Sequence, residues 1–305
     1  MSKILVFGHK NPDTDTICSS IVMAEMQKKM GVDAEAARLG EINKETQYAL
    51  DYFKVDLPKL INNVDENQEV ILVDHNEFQQ SADGIEKAKI NTVVDHHRID
   101  NFKTAEPLFY HAEPLGCTST ILYRIGKMNK IEFEPKMAGL MLSAIISDTL
   151  LFKSPTCTEV DKRVAEELSK IANVEINTYG LEMLKAGTDL DDYTEEELID
   201  LDAKTIEKNG LKIVIAQVNT VDIPKVLKRQ EKLEETMKKT IEKDGLALFV
   251  LAVTDILNSN SELLVLGDKT EIIEKSYKLN NNRAFLEGVV SRKKQILPMI
   301  DKNID

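Results

Sequence analysis

The side chains best suited to bind metal ions are concentrated in three short segments of the first 100 residues. They are His9, Asp13 and Asp15 in the first segment, Asp74 in the second, and Asp95, His96 and His97 in the third. Imidazoles combined with carboxylates suit divalent ions such as Mn²⁺ or Co²⁺ better than ions that prefer thiolates. Because so many carboxylates would over-neutralise a single ion, two ions bridged by one carboxylate use the charge better. The residue types therefore predict a dinuclear metal site.

Each of these segments follows a short apolar run that predicts a β-strand. The runs are Lys3–Phe7, Val70–Val73 and Thr92–Val94. The helical pattern of Thr16–Lys29 lies between the first two, and alternating strands and helices are typical of a parallel α/β sheet. Open parallel sheets bind ligands at the carboxyl ends of their strands. We therefore expect the three segments to meet at one edge of one sheet.

The remaining periodicity predicts a second, smaller α/β domain. Further helices are predicted at Cys117–Lys127, Pro135–Ser147, Glu159–Ile171 and Asn177–Leu184, before the polar segment 186–193 interrupts the pattern. Beyond it we predict helices at Thr194–Ile206, Ile223–Lys243 and Ser291–Ile300, and strands at Lys212–Val218, Leu246–Val253 and Leu263–Leu266. The predicted organisation is an N-terminal domain at 1–187, a linker at 188–194 and a C-terminal domain at 195–305.

Composition excludes several classes of protein. The 305 residues carry 39 Lys and Arg against 52 Asp and Glu, and this net charge of −13 disfavours binding to the phosphate backbone of nucleic acids. No apolar run approaches the roughly 18 residues that a membrane span requires. The N-terminus lacks the pattern of a signal peptide, and the three separated cysteines read as reduced thiols. We expect a cytoplasmic protein that binds neither membranes nor nucleic acid.

Each of these motifs also has a purely structural interpretation. Residues 8–15 could form a turn rich in Asp and Asn, and residues 95–97 could be a capped turn. Asp148 ends a predicted helix, so that by itself it reads as a helix cap rather than as a metal ligand. The basic run Arg292–Lys294 could be a solvated helix face, although a helix start after Gly288–Val290 also favours anions. His75 and His111 lack a partner motif and read as structural or surface residues.

Together, the motifs resemble the DHH phosphoesterase superfamily. Residues 8–15 (GHKNPDTD), 74–76 (DHN), 95–97 (DHH) and 147–148 (SD) are similar to its N-terminal motifs. Residues 290–295 (VSRKKQ) resemble the C-terminal signature of one branch, the manganese-dependent (family II) inorganic pyrophosphatases. The resemblance extends over essentially the whole chain, including its length and the order of its domains.

The resemblance implies a role for each of these residues. It implies that His9 and Asp13 bind one metal ion, that Asp15, His96 and Asp148 bind the second, and that Asp74 bridges the two. Asp95 would orient the site, His97 would donate a proton to the leaving phosphate, and Lys204, Arg292 and Lys293 would hold the substrate. It also implies two Mn²⁺ or Co²⁺ ions per subunit, additional Mg²⁺ arriving with the substrate, and a homodimer.

The implied function is the hydrolysis of inorganic pyrophosphate in a cleft between the two domains, by a hydroxide held between the metal ions. An exopolyphosphatase or an oligonucleotide phosphodiesterase of the same superfamily is the alternative. The nuclease branches usually carry a Gly-Gly-Gly-His run and aromatic side chains that stack on bases. This sequence has no such run, no Trp and only 5% aromatic residues. A non-catalytic regulator would be expected to have an incomplete ligand set.

Overall fold

The computed structural model describes residues 3–304. The chain divides into two compact units, and the boundary between them falls between Gly187 and Thr188. The domain bounds of 1–187 and 195–305, with a linker at 188–194, stay predictions. No helix within residues 3–304 has both the length and the apolar character that a membrane span requires.

The first unit is built on a parallel sheet of six strands in the order β3-β2-β1-β4-β5-β6. The strands are β1 Ile4–Phe7, β2 Ala34–Arg38, β3 Lys59–Leu60, β4 Glu69–Val73, β5 Lys89–Asp95 and β6 Phe109–Ala112. The apolar residues of β4 are all buried, as expected for a parallel strand that is covered on both faces. The strand order reverses between β1 and β4, and open sheets bind ligands at such a point.

Six α-helices accompany this sheet in the described part of the first unit. They are α1 Thr14–Lys29, α2 Lys44–Phe53, α3 Thr118–Met128, α4 Pro135–Asp148, α5 Glu159–Ala172 and α6 Ile176–Gly187. Asp13 caps α1, because its carboxylate accepts a hydrogen bond of 2.9 Å from the backbone N–H of Thr16. Asp15 therefore lies in the first turn of the helix, which begins two residues before its predicted start at Thr16.

The second unit is built on a mixed sheet of five strands in the order β11-β10-β9-β8-β7. The strands are β7 Ala203–Lys208, β8 Leu211–Thr220, β9 Leu248–Asp255, β10 Asn260–Leu266 and β11 Arg283–Glu287. The helices are α7 Glu195–Asp200, α8 Ile223–Leu227, α9 Gln230–Asp244, α10 Glu271–Glu274 and α11 Leu297–Asn303, with a π-helix at Arg292–Ile296. Alternate residues of β8 pack into two separate apolar clusters, so the sheet is covered on both faces.

The structure confirms the α/β class, with a parallel sheet in the first unit and a second sheet in the second, but it corrects two predicted helices. The predicted helix Thr194–Ile206 ends at Asp200, because residues 203–208 instead form a hairpin with β8. The turn of that hairpin is Asn209-Gly210, and both residues adopt the positive φ that such a turn requires. The predicted helix Ile223–Lys243 is divided into α8 and α9. Between them, the guanidinium of Arg229 binds Glu195 and two backbone carbonyls.

Candidate metal centre

Asp74 lies at the centre of the candidate site, directly after β4. Its backbone is in the left-handed region, with φ 59°, and its N–H donates to the carbonyl of Val94 at 3.0 Å. The side chain is buried, and its two oxygens face different imidazoles. Oδ2 lies 3.5 Å from Nε2 of His9, whereas Oδ1 lies 3.4 Å from Nε2 of His96. This carboxylate can therefore contribute one oxygen to each of two neighbouring cations.

The first group of ligand atoms comes from His9, Asp13 and Asp74, and these atoms lie within 4.8 Å of one another. His9 follows β1, and Asp13 is fixed as the cap of α1. The Nε2 atom of His9 lies 3.6 Å from Oδ2 of Asp13. The end of one strand and the start of the next helix thus supply an imidazole and a carboxylate to the same point as Asp74.

The second group comes from Asp15, His96 and Asp148, again within 4.8 Å of one another. The Nδ1–H of His96 donates to the carbonyl of Leu115 at 3.0 Å, which leaves the lone pair of Nε2 directed into the site. Asp15 accepts hydrogen bonds from the backbone N–H of Thr118 at 2.6 Å and from the hydroxyl of Ser19 at 2.6 Å. Because Thr118 begins α3, the positive end of that helix also stabilises the buried carboxylate.

Asp148 is not explained as a helix cap. It is the last residue of α4, where the helix dipole disfavours a negative charge. Its Oδ2 atom is buried and has no hydrogen-bond partner within residues 3–304, and Nε2 of His96 is 3.8 Å away, beyond hydrogen-bond distance. A buried carboxylate oxygen without a partner is unfavourable unless a cation is bound beside it. The residues present therefore fit a metal ion in the second group.

The backbone after Asp148 is strained. Leu150, Leu151 and Phe152 have φ values of 47°, 52° and 68°, and none of them is glycine. The left-handed conformation costs roughly 1–2 kcal/mol for each such residue. The turn is held by hydrogen bonds from the N–H of Ser154 to the carbonyl of Thr149 and from the N–H of Phe152 to the Thr149 hydroxyl. It ends α4 directly after Asp148, and strain of this kind is concentrated at functional sites.

The charges of this cluster shift the pKa values of its members in the metal-free protein. Burial acts to lower the pKa of His9, but the Asp13 and Asp74 carboxylates outweigh it and raise the pKa to about 10. The pKa of His96 is raised to about 9, because Asp74 and Asp15 likewise outweigh burial. Burial and the neighbouring Asp74 raise the pKa of Asp15 to about 6. Without metal ions the cluster therefore holds protons, and a metal ion must displace them.

His97 belongs to a third group of close ligand atoms, together with Asp74 and His96, and it also forms a pair with Asp95. The buried Asp95 carboxylate accepts from the backbone N–H and from Nδ1 of His97, each at 3.0 Å, and from the Asn76 amide at 2.7 Å. This leaves Nε2 of His97 directed away from Asp95, on a side chain that is 54% exposed. The hydrogen bond to Asp95 raises the pKa of His97, although burial opposes it. His97 is therefore suited to donate a proton to a bound anion.

A cavity of about 270 Å³ opens beside these residues and is lined by His9, Asp74 and His97 together with His75, Asn76 and Arg98. Asn76 lies inside the motif 74–76 but is not among the predicted site residues. Its amide also donates to the carbonyl of Arg98 at 2.9 Å and accepts from the N–H of Asp100 at 3.0 Å. Asn76 therefore holds the chain on both sides of His97 in place.

The three predicted substrate residues all lie in the second unit. Lys204 is exposed on β7, while Arg292 and Lys293 begin the π-helix. The Arg292 guanidinium lies 2.9 Å from Oδ1 of Asp202, so that the π-helix is held beside the start of the strand that carries Lys204. Gln217, which sequence reasoning missed, accepts from the N–H of Arg292 at 3.0 Å. The signal for it was a polar residue directly after the apolar run 213–216 of strand β8.

Comparison with known proteins identifies the family of the chain. Residues 3–145 match the DHH family, N-terminal domain, and residues 181–303 match the DHHA2 domain. The manganese-dependent inorganic pyrophosphatase of Bacillus subtilis (strain 168) is 55% identical over 303 residues, which is 98% of each chain. A relative in Exiguobacterium sp. (strain ATCC BAA-1283 / AT1b), named "Probable manganese-dependent inorganic pyrophosphatase", is 59% identical over the same share of each chain.

A solved structure gives the same result for the fold. The crystal structure of a Methanococcus jannaschii protein assigned to the family II inorganic pyrophosphatases is similar, with 41% identity, a TM-score of 0.63 and coverage of 98% of both chains. The similarity extends over both units, as the sequence motifs predicted. The chain therefore belongs to the manganese-dependent (family II) inorganic pyrophosphatases of the DHH phosphoesterase superfamily.

Proposed function

We propose that this protein hydrolyses inorganic pyrophosphate to two phosphates at a dinuclear manganese centre. The observation that carries the proposal is the position of Asp74, whose two oxygens face His9 and His96 respectively. A carboxylate placed in this way is suited to bridge two cations. The names of the relatives that align with almost the entire chain support both the substrate and the metal.

The ligands divide between the two ions according to the two groups of atoms. His9 and Asp13 bind the first ion, Asp15, His96 and Asp148 bind the second, and Asp74 bridges them. When bound, two divalent ions lower the pKa of a water molecule and neutralise the charge on phosphoryl oxygens. The Oδ2 atom of Asp148, which is buried without a hydrogen-bond partner within residues 3–304, supports the second ion in particular, because a bound cation would stabilise the charged form of this carboxylate.

The remaining residues act on the substrate. Asp95 holds His97 through Nδ1, so that Nε2 can donate a proton to the leaving phosphate. General acids of this kind typically contribute about 10²–10⁴ in rate. Lys204, Arg292 and Lys293 bind the phosphate oxygens, and the contact of Arg292 with Asp202 orients its guanidinium. His97, Lys204, Arg292 and Lys293 are thus the side chains that we propose to neutralise the negative charge of the substrate.

Several finer points belong to this proposal. Co²⁺ can replace Mn²⁺ because both ions accept imidazole and carboxylate ligands. Additional Mg²⁺ arrives with the pyrophosphate. We also propose a cytoplasmic homodimer, as the family resemblance implies.

Phosphate release tests the proposal. Chelator-treated protein is assayed with pyrophosphate, triphosphate, longer polyphosphate and a dinucleotide, after addition of Mn²⁺, Co²⁺, Mg²⁺ or Zn²⁺. We expect the treated protein to be inactive, Mn²⁺ or Co²⁺ to restore it best, and pyrophosphate to be the preferred substrate. A preference for long polyphosphate or for the dinucleotide would favour the alternative functions, and full activity without metal would contradict the metal centre.

A further inference from the structure

A glutamate outside the proposed ligand set connects two of the helices that carry metal ligands. Glu45 lies in the first turn of α2 and is partly buried. Its Oε1 atom accepts a hydrogen bond from the hydroxyl of Thr14 at 2.9 Å. The same oxygen accepts a second hydrogen bond from the hydroxyl of Ser147. A single carboxylate oxygen thus joins the start of α1 to the end of α4.

The two hydroxyls belong to direct neighbours of the proposed ligands. Thr14 lies between Asp13 and Asp15, which are assigned to different metal ions, and Ser147 directly precedes Asp148. The ends of α1 and α4 must keep a fixed separation if Asp15 and Asp148 are to bind the same ion. The hydrogen bonds of Glu45 provide a direct connection between these two ends.

Neighbouring groups hold Glu45 in this position. Because Thr14 donates its only hydroxyl proton to Glu45, the hydroxyl of Thr46, 3.1 Å away, must donate to Thr14. The end of α6 passes close to the glutamate on another side. A β-carbon at Gly187 would lie 2.8 Å from Cβ and 2.9 Å from Oε2 of Glu45. Only glycine fits there without moving the glutamate.

We propose that Glu45 is a positioning residue that sets the geometry of the metal centre through the Thr14 and Ser147 hydroxyls. This inference rests on the proposed function, because it takes Asp13, Asp15 and Asp148 as metal ligands. Glu45 acts as a hydrogen-bond acceptor and is not itself a ligand. Partners that orient metal ligands typically change metal affinity by about 10–100-fold when they are removed.

Two substitutions at the same position separate the acceptor from the charge. Glu45→Ala removes the oxygen, whereas Glu45→Gln keeps an amide oxygen that can accept from both hydroxyls but carries no charge. We expect Glu45→Ala to lower Mn²⁺ affinity about 10–100-fold and Glu45→Gln to restore most of it. Asp51→Ala is the matched control, since Asp51 lies exposed on the same helix and accepts from Gln47.

The experiment measures Mn²⁺ binding to the full chain by equilibrium dialysis, together with the melting temperature of each metal-free variant. The variants are interpreted only if wild-type protein binds two Mn²⁺ ions. In that case, two results would overturn the proposed role of Glu45. One is an unchanged affinity in Glu45→Ala, even if its melting temperature falls, since that pattern indicates a purely structural residue. The other is an equal loss of affinity in Glu45→Ala and Glu45→Gln. Wild-type protein that binds no Mn²⁺ would instead overturn the metal centre itself.

Discussion

Replacing Asp148 by asparagine should stabilise the metal-free protein while it weakens metal binding. The Oδ2 atom of Asp148 is buried without a hydrogen-bond partner within residues 3–304, and Asp15 lies in the same group of ligand atoms. Burial, followed by the charges of Asp15 and Asp74, raises the pKa of Asp148 well above its ordinary value. An uncharged amide avoids both the buried charge and the uptake of a proton that would neutralise it, and it can donate a hydrogen bond to Asp15. For the bound metal, however, the substitution removes an anionic ligand.

The size of the effect follows from the cost of an unsatisfied buried group. That cost is about 1–3 kcal/mol, and it is larger when the group is charged. In a domain the size of the first unit, a change of about 1 kcal/mol in the free energy of unfolding shifts the melting temperature by about 2–4 °C. We therefore expect Asp148→Asn to raise the melting temperature of chelator-treated protein by roughly 2–12 °C. Removing a group that only orients a metal ligand typically lowers metal affinity by about 10–100-fold. Because Asp148 is a proposed ligand, its replacement should lower Mn²⁺ affinity by at least this factor.

The sign of the pH dependence is also fixed. A carboxyl group whose pKa is raised in the folded state lowers stability as the pH rises above the unfolded pKa, which is about 3.9. The increase in melting temperature caused by Asp148→Asn in the metal-free protein should therefore be larger at pH 8 than at pH 5. Calorimetry of the metal-free proteins at both pH values, and Mn²⁺ titration of the same samples, measure these quantities.

Asp161→Asn is the matched control. Asp161 is also a buried carboxylate of the first unit, but it accepts hydrogen bonds from the N–H groups of Gly116 and Thr158 and from the hydroxyls of Thr120 and Thr158. Because this carboxylate already has hydrogen-bond partners, its replacement should lower the melting temperature of the metal-free protein, which is the opposite of the effect expected for Asp148→Asn. A lower metal-free melting temperature for Asp148→Asn, or Mn²⁺ affinity equal to wild type, would refute the reasoning.

Four further predictions concern the same centre. Asp74→Asn should reduce Mn²⁺ occupancy, measured by elemental analysis, because only one end of an amide can bind a cation; full occupancy would exclude the bridge. His96→Gln should lower Mn²⁺ affinity, whereas His97→Gln should keep the metal and lower kcat by about 10²–10⁴; equal metal loss in both would contradict this division. Mn²⁺ affinity should rise from pH 6.5 to 8.5, because binding displaces protons from His9 and His96, whose pKa values are about 10 and 9 without metal. Calorimetry in buffers of different ionisation enthalpy would count those protons, and buffer-independent heats would disprove the displacement. Arg292→Ala should still bind Mn²⁺ but should have a higher KM and a lower kcat. Arg292→Lys should recover only part of the lost activity, because an ammonium cannot form two parallel hydrogen bonds to a phosphate. Wild-type kinetics in Arg292→Ala would exclude a contact between Arg292 and the substrate.

The sequence alone was sufficient to predict that the candidate metal-binding segments lie at the ends of strands. The apolar runs before His9, Asp74 and Asp95 indicate buried parallel strands, and the carboxyl ends of such strands meet at one sheet edge. These are local patterns, so they can be recognised without knowing the fold. The Asn209-Gly210 turn was equally local, and the prediction of a helix through Ile206 was wrong because that signal was not used.

Tertiary structure decided the features that depend on residues far apart in the chain. By itself Asp148 read as a helix cap, the family resemblance implied that it is a metal ligand, and the fold brings it close to Asp15 and His96. The division of the two Asp74 oxygens between His9 and His96 likewise depends on how three strand ends pack. Glu45 carried no recognisable motif, because its partners Thr14 and Ser147 lie 31 and 102 residues away. The chemical type of each side chain is known from the sequence. A metal site also requires its ligand atoms to lie at short distances from one another, and for segments far apart in the chain only tertiary packing fixes these distances.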